Sequence, residues 1–171
     1  MNRINIPLLG FSAASGTGKT TLLTQLIPLL NAKNLRIGVI KHSHHDFEID
    51  HEGKDSFRLR HAGATPMLLV SKHRRVIIEE FSNQTEPTLE DQIAFFNSTE
   101  TDLILVEGFR NAPVPKIELH RAELNKPLLY LNDSHIIAIA TDVELNTNLP
   151  QLNLNQPAEI ADFIFYTFLK L

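Results

Sequence analysis

The chain has 171 residues and a formal net charge of −4, which is the size of one domain and argues against general binding to nucleic acid. It contains no cysteine, so disulfides and thiolate metal sites are excluded, and a cytoplasmic location is expected. The N-terminus lacks the apolar core of a signal peptide, and no apolar run approaches the ~18 residues of a membrane span. We therefore expect a single domain over residues 1–171 with no membrane role.

Four short apolar runs predict the strands of the fold, at residues 8–11, 37–40, 103–106 and 136–140. None of them alternates with polar residues, which is typical of strands buried on both faces. Parallel strands need crossover connections, and segments with helical character lie between these runs. The sequence thus predicts an α/β fold with a mainly parallel sheet.

The first helix is predicted to run from Gly18 towards Asn34, with a kink or an early end at Pro28. A short helix over residues 55–61 follows, with Asp55 near its start and Gly63 just past its end. Residues 67–70 and 76–80 flank a charged turn and predict a hairpin that extends the sheet.

In the last part of the chain, Thr88 is a candidate cap for a helix that reaches Phe96. The terminal helix has an apolar stripe, and Phe165 and Leu169 fall off it. We interpret these two side chains as core on a second face, with contact to a partner subunit as the alternative. The stripe itself consists of Ile160, Phe163, Ile164, Phe168 and Leu171.

Residues 13–20 read Ala-Ala-Ser-Gly-Thr-Gly-Lys-Thr and match a phosphate-binding P-loop except that Ala13 replaces the first glycine. Small residues at Gly16 and Gly18 let backbone N–H groups converge on anionic oxygens, and the following helix adds the positive end of its dipole. Lys19 would place an ammonium between the outer phosphates of a nucleoside triphosphate, and the Thr20 hydroxyl would ligate Mg²⁺. A plain turn between strand and helix is the alternative, but it would not require Lys-Thr at this spacing.

Glu107 follows the apolar run 103–106 and precedes a glycine, so it should emerge at the edge of the sheet beside the loop. We interpret it as a catalytic carboxylate that binds Mg²⁺ or orients water. Asp102 lies at the other end of the same strand and should be remote.

Several segments together resemble the molybdopterin-guanine dinucleotide biosynthesis protein B (MobB) family: residues 14–23, 40–46 (Ile-Lys-His-Ser-His-His-Asp) and 103–109, supported by 53–64 and 137–143. Alanine at the first P-loop position is familiar in that family. The resemblance implies a P-loop NTPase-like three-layer sandwich with helices on both faces of the sheet. It also implies a homodimer that binds GTP and Mg²⁺, hydrolyses GTP slowly and assists a separate guanylyltransferase as an adapter.

On this interpretation the nucleotide is held by Ser15, Gly16, Thr17, Gly18, Lys19, Thr20 and Thr21, and the metal by Thr20 and Glu107. Lys41 and His42 would form a polar rim that contacts the γ-phosphate or the phosphate of molybdopterin. With His44 and His45, the same segment is alternatively a transition-metal site or a solvated loop. Asp46 is a further candidate for orienting water.

Three more predictions concern single side chains. Asp142, after the strand 135–140, is a candidate acceptor for the guanine N1 and N2 groups. One of Arg58 and Arg60 is a candidate for a phosphate, with a solvated helix as the alternative. Gly108-Phe109-Arg110 begins a long loop, and Arg110 is a candidate arginine finger, with an arginine from a second subunit as the alternative. A small-molecule kinase and a metallochaperone GTPase that uses the histidines remain alternative functions.

Overall fold

The computed structural model describes residues 6–43, 46–81 and 85–171. The chain divides into two compact units. The first comprises Met1–His42 and Thr88–Leu171, and the second comprises Ser43–Pro87. The assignment of the whole chain to one domain stays a prediction, and each unit is described by itself.

The first unit contains a six-stranded sheet in which every pair of neighbouring strands is parallel. The strands are β1 (Leu8–Ala13), β2 (Ile37–Lys41), β5 (Leu103–Glu107), β6 (Lys116–His120), β7 (Ile136–Thr141) and β8 (Gln151–Asn153). They lie side by side in the order β2-β5-β1-β6-β7-β8. The predicted α/β class is thereby confirmed.

Helices cover both faces of this sheet, as expected for three layers. On one face, α1 (Lys19–Ala32) and α4 (Pro157–Asp162) pack their buried leucine and isoleucine side chains against Leu103 and Leu105. On the other face, α3 (Leu89–Ile93) packs Leu89 against Ile104 and Val106. The alternation along β5 shows why its continuous apolar run is buried on both sides.

The helices differ from prediction in detail. Helix α1 continues through Pro28 to Ala32, so an early end at the proline is wrong. Thr88 does cap α3, since its Oγ1 accepts from the Asp91 backbone N–H at 3.2 Å, but the helix ends at Ile93. A π-helical segment, Phe163–Phe168, follows α4. Its Phe165, like Leu169 beyond it, is partly buried against the main core, which confirms the core interpretation.

Strand β6 was not predicted, although it lies between β1 and β7 near the centre of the sheet. Its Lys116 and Glu118 are almost completely buried. Lys116 Nζ donates to Asp133 Oδ2 at 2.8 Å. Burial alone would raise the pKa of Asp133, but hydrogen bonds from Lys116 and His135 outweigh it and lower that pKa. Glu118 accepts from two backbone N–H groups at 2.7 and 2.8 Å.

The second unit contains α2 (Asp55–His61) and the antiparallel strands β3 (Met67–Val70) and β4 (Arg75–Ile78). The predicted hairpin is present, but within the described residues its two strands form a separate sheet, so it does not extend the larger one. Its apolar side chains Leu68, Leu69, Val70 and Ile77 are at least half exposed. Among all the residues described, no helix is long and apolar enough to cross a membrane.

Candidate functional site

The loop between β1 and α1 has the backbone conformation that its glycines allow. Gly16 has φ +83° and Gly18 has φ +95°, and an added Cβ at either position would meet nothing within 4 Å. Ala13 is the last residue of β1 and has strand geometry, so this position does not require glycine. The departure from the strict motif is therefore compatible with the loop.

Thr17 stabilises the loop from inside. Its side chain is buried, and Oγ1 donates to the Ala14 carbonyl at 2.8 Å. The hydroxyl is thus committed within the loop, and any contact of Thr17 with a ligand would come from its backbone. The carbonyl of Thr17 faces another element, because Arg121 Nε donates to it at 3.1 Å.

A cavity of about 470 Å³ opens beside this loop. Its lining brings together the predicted loop residues Ser15 to Thr21 with Glu107 and Arg110. Thr20 and Thr21 are exposed in the first turn of α1, where the first intrahelical bond runs from Leu22 N to Gly18 O at 2.9 Å. The N–H groups before that bond point along the helix axis towards the cavity side, which makes this end of α1 suited to an anion.

Glu107 lies between two ammonium groups at the carboxyl-terminal edge of the sheet. Its Oε1 is 3.7 Å from Lys19 Nζ and its Oε2 is 3.7 Å from Lys41 Nζ. Strands β2 and β5 are in register so that Lys41 pairs with Glu107, which explains why two residues 66 positions apart meet. Lys19, Glu107 and Lys41, which were predicted separately as site residues, thus lie close together in the structure, with their charges partly compensated.

The segment after Glu107 is held in an unusual conformation. Gly108 has φ +93° and Phe109 has φ +46°, which is rare for a residue with a side chain. The Phe109 ring stacks on the His42 ring with centroids 4.5 Å apart, and His42 N donates to the Glu107 carbonyl at 2.8 Å. His42 therefore packs next to the cluster, and its predicted contact with phosphate stays a prediction.

Asp142 lies at the carboxyl end of β7, and its carboxylate is engaged within the chain. Oδ1 accepts from the Ala122 backbone N–H at 3.0 Å, and Oδ2 is 3.7 Å from Arg121 Nη1. It does not line the 470 Å³ cavity. Sequence reasoning missed Arg121, because it follows β6, the strand that the sequence did not reveal.

In the second unit, the structure distinguishes the two candidate arginines. The Arg60 side chain is buried and bonds Glu48 and Glu80, each at 2.6 Å. Its guanidinium is thus occupied by two carboxylates, whereas the Arg58 side chain is 77% exposed and its Nη1 lies 4.0 Å from one carboxylate oxygen, Asp55 Oδ1. These two ion pairs raise the pKa of Arg60, chiefly through the hydrogen bond with Glu80.

Two predictions on the histidine segment are not tested. Asp46 belongs to the second unit, and its catalytic role stays a prediction. His44 and His45 lie outside the described residues. Among the remaining side chains that the structure describes, no three His, Cys, Asp or Glu residues are grouped closely enough to hold a metal ion.

The arrangement as a whole suits a polyphosphate. Backbone N–H groups at a glycine-rich loop, the start of a 14-residue helix and the Lys19 ammonium converge on one cavity. Glu107 and the exposed Thr20 hydroxyl add two oxygen ligands of the kind that Mg²⁺ takes when phosphate oxygens complete its coordination.

Comparison with known proteins identifies several close relatives. Residues 8–142 match the family model described as molybdopterin guanine dinucleotide synthesis protein B. The chain is 47% identical to the molybdopterin-guanine dinucleotide biosynthesis adapter protein of Haemophilus influenzae, over 93% of this chain and 88% of that protein. It is 44% identical to the Escherichia coli protein of the same name, over 93% of this chain and 91% of the relative.

A solved structure is similar throughout. The crystal structure titled molybdopterin-guanine biosynthesis protein B (mobB) superposes with a TM-score of 0.74 at 25% identity, covering 96% of this chain and 99% of that chain.

Proposed function

Because the chain belongs to the molybdopterin guanine dinucleotide synthesis protein B family, we propose that it is an adapter in the formation of molybdopterin guanine dinucleotide. In this role it binds GTP with Mg²⁺ and assists a separate guanylyltransferase. The relatives at 44–47% identity, which are named adapter proteins, support the role.

The observation that carries nucleotide binding is the cavity of about 470 Å³ between the loop at residues 13–21 and Glu107. Backbone N–H groups of the loop bind the phosphate oxygens, and Lys19 neutralises the charge on the outer phosphates. Lys41 adds a second cation, since its Nζ lies 3.7 Å from the same carboxylate as Lys19.

Thr20 and Glu107 fit a Mg²⁺ ion, because both line the cavity and offer oxygen ligands of the right type. Thr20 and Glu107 would hold the ion, which would supply positive charge beside the phosphates. Glu107 is already held near Lys19, so the residues that bind the phosphates and the ion are positioned together by the chain.

We propose slow hydrolysis, because Lys19 and the loop neutralise phosphate charge without themselves positioning the attacking water. Lys19 and the loop stabilise charge, but hydrolysis also needs a group that positions water, and an arginine finger is worth about 10³–10⁵ in rate. Arg110 lines the cavity and is the candidate finger. Asp46 stays the sequence candidate for orienting water and belongs to the other unit. We expect a weak GTPase whose main role is to bind GTP and present it to the guanylyltransferase.

Selectivity for guanine is assigned to Asp142. A carboxylate has about four lone-pair positions, so the bond from Ala122 N leaves acceptor capacity for the guanine N1 and N2 groups. Asp142→Ala should weaken GTP binding much more than ATP binding in Mg²⁺-containing titrations. Equal losses for the two nucleotides would count against this assignment.

We also propose a homodimer in the cytoplasm. The half-exposed apolar side chains of the β3–β4 hairpin support a dimer, because a two-stranded sheet is marginal alone and gains stability when its faces are covered. Molybdopterin is a further candidate ligand, and the exposed Arg58 is the guanidinium available for its phosphate.

The deciding experiment is calorimetric titration of GTP and ATP into the Mg²⁺-loaded protein, with and without the guanylyltransferase. Lys19→Ala should lower GTP affinity by about 10-fold or more, since it removes a charge-assisted contact. Lys33→Ala is the matched control, because Lys33 caps the other end of the same helix and pairs with Asp162 at 2.8 Å. The proposal fails if wild-type protein does not bind GTP, or if both variants bind it equally well.

A further inference from the structure

A single guanidinium joins three loops at the carboxyl edge of the large sheet. Arg121, directly after β6, donates from Nε to the Thr17 carbonyl of the phosphate-binding loop at 3.1 Å. From Nη2 it donates to Asn155 Oδ1 at 3.3 Å, and its Nη1 lies 3.7 Å from Asp142 Oδ2.

The sheet topology explains why these groups meet. Strands β1, β6, β7 and β8 are consecutive neighbours and all parallel, so the loops that follow them emerge at the same edge. Arg121 sits second in this row, between the loop after β1 and the loops after β7 and β8. Its planar fork of N–H groups can reach three acceptors at once, which the single ammonium of a lysine cannot do in fixed directions.

The partners of Arg121 are themselves held in place. Asp142 Oδ1 accepts from Ala122 N at 3.0 Å, which fixes the carboxylate towards β6. Asn155 N donates to Asn153 Oδ1 at 2.9 Å, which orders the turn after β8. Movement at Asp142 or Asn155 would therefore be transmitted through the guanidinium to Thr17.

We propose that Arg121 is a positioning residue that couples the phosphate-binding loop to the loop after β7, in which Asp142 recognises the base. This inference rests on the proposed function, in which the loop at residues 13–21 binds phosphates and Asp142 contacts guanine. Arg121 acts through its neighbours, because its Nε and Nη2 N–H groups already donate to oxygens of this chain. It holds the carbonyl of Thr17, and it orients Asp142 and compensates part of its charge.

Two readouts test the coupling, and one of them needs no nucleotide. The first is hydrogen exchange of the backbone amides at residues 14–18 in the protein alone. Arg121→Ala should accelerate this exchange about 10-fold, because the charged hydrogen bond to the Thr17 carbonyl is lost. Arg121→Lys keeps the charge but cannot donate in the three fixed directions of the guanidinium. Its amide exchange rate at residues 14–18 should therefore lie between those of wild type and Arg121→Ala.

The second readout is affinity for three ligands. Pyrophosphate contacts only the phosphate-binding loop, whereas GTP and ATP also contact the residues that recognise the base. Arg121→Ala should weaken pyrophosphate and ATP by about 10-fold and GTP by more than that, so that the ratio of GTP to ATP affinity falls. Arg36→Ala is the matched control, because Arg36 also joins a carboxylate, that of Asp102, to a backbone carbonyl. Arg36 and Asp102 directly precede β2 and β5, so they lie at the edge of the sheet away from the phosphate-binding loop.

Each outcome decides the matter. Unchanged loop exchange together with unchanged pyrophosphate affinity overturns the proposal, and so does weaker phosphate binding with an unaltered GTP-to-ATP ratio. Loss of both properties in Arg36→Ala as well would show a general loss of stability and also overturn it. If wild-type protein binds no GTP while Arg121→Ala still loosens the loop, the proposed function fails separately. If Arg121→Ala does not fold, Arg121→Lys carries the same comparisons.

Discussion

Replacing Gly108 by alanine should destabilise the first unit by more than replacing any open glycine of similar backbone conformation. Gly108 has φ +93°, and a Cβ there would lie 2.7 Å from His42 Cβ and 2.9 Å from the His42 carbonyl oxygen. The obstacle includes backbone, which cannot rotate away as the end of a flexible side chain can. The change therefore combines a strained φ with a steric clash.

The two contributions can be separated by magnitude. A left-handed φ costs an alanine about 1–2 kcal/mol, and the stiffer unfolded chain returns about 0.4–1 kcal/mol. Overpacking against a fixed neighbour adds about 1–3 kcal/mol. We expect Gly108→Ala to lose about 2–4 kcal/mol in the free energy of unfolding, given that strain and overpacking both apply.

Gly16→Ala is the matched control. Gly16 belongs to the same unit and has φ +83°, but a Cβ there meets nothing within 4 Å. Gly16→Ala should lose only about 1 kcal/mol in the free energy of unfolding, which is the net effect of φ strain.

Urea unfolding followed by tyrosine fluorescence measures both variants. The chain has no tryptophan and two tyrosines, Tyr130 and Tyr166, which both belong to the first unit. The signal therefore reports the unit that contains both glycines. Equal losses for Gly108→Ala and Gly16→Ala, with unchanged urea dependence, would refute the argument from the clash with His42.

Three further predictions concern buried or paired groups. Thr17→Val should cost about 1 kcal/mol in the same urea assay because it removes the hydrogen bond to the Ala14 carbonyl. Thr17→Ser should retain most of that energy, and equal losses would contradict the role of the hydroxyl. Hydrogen bonds from Arg36 lower the pKa of Asp102 from 3.8 to about 2, so its contribution to stability is complete above pH 3.8 and is lost as the pH falls towards 2. Over that interval the Tm of wild type should fall more than that of Asp102→Asn, and parallel curves would contradict the ion pair. Glu118→Gln should lose about 1–3 kcal/mol, since an amide offers one oxygen to the two N–H groups that the carboxylate now satisfies. An unchanged urea midpoint for this variant would show that a side-chain amide suffices there.

The glycine-containing loop at residues 13–21 and the position of Glu107 beside it could be predicted from the sequence because their signals are local. The loop is one continuous motif, and Glu107 follows directly after an uninterrupted apolar strand. The position of β2 at the edge of the sheet was harder to predict from the sequence. Its apolar run is continuous, yet the side chain of Val39 is 42% exposed. Hydropathy reveals a strand without revealing whether both sides have neighbours.

Strand β6 was missed for a physical reason. The segment Lys-Ile-Glu-Leu-His alternates polar and apolar side chains, so it lacks the continuous apolar run by which the other central strands were predicted. Such alternation is typical of a strand with one solvent-exposed face. Both Lys116 and Glu118 are nevertheless buried, because Asp133 and the N–H groups of Leu129 and Tyr130 satisfy them. Those partners lie 11 to 17 residues further along the chain, so no local pattern could reveal them. The role of Arg121 was hidden with the strand that precedes it.

The strand order has a consequence for how the protein is made on the ribosome. Within the part of the chain that the structure describes, strand β1, at residues 8–13, pairs with the strands that begin at residues 103 and 116. At a synthesis rate of about 5–20 residues per second, the nascent β1 waits roughly 5–20 s before either neighbour exists. The loop at residues 13–21 is thus translated early, while its supporting sheet is completed late. During that interval the apolar β1 and α1 are exposed together, so this N-terminal stretch is where a holdase chaperone would be needed most.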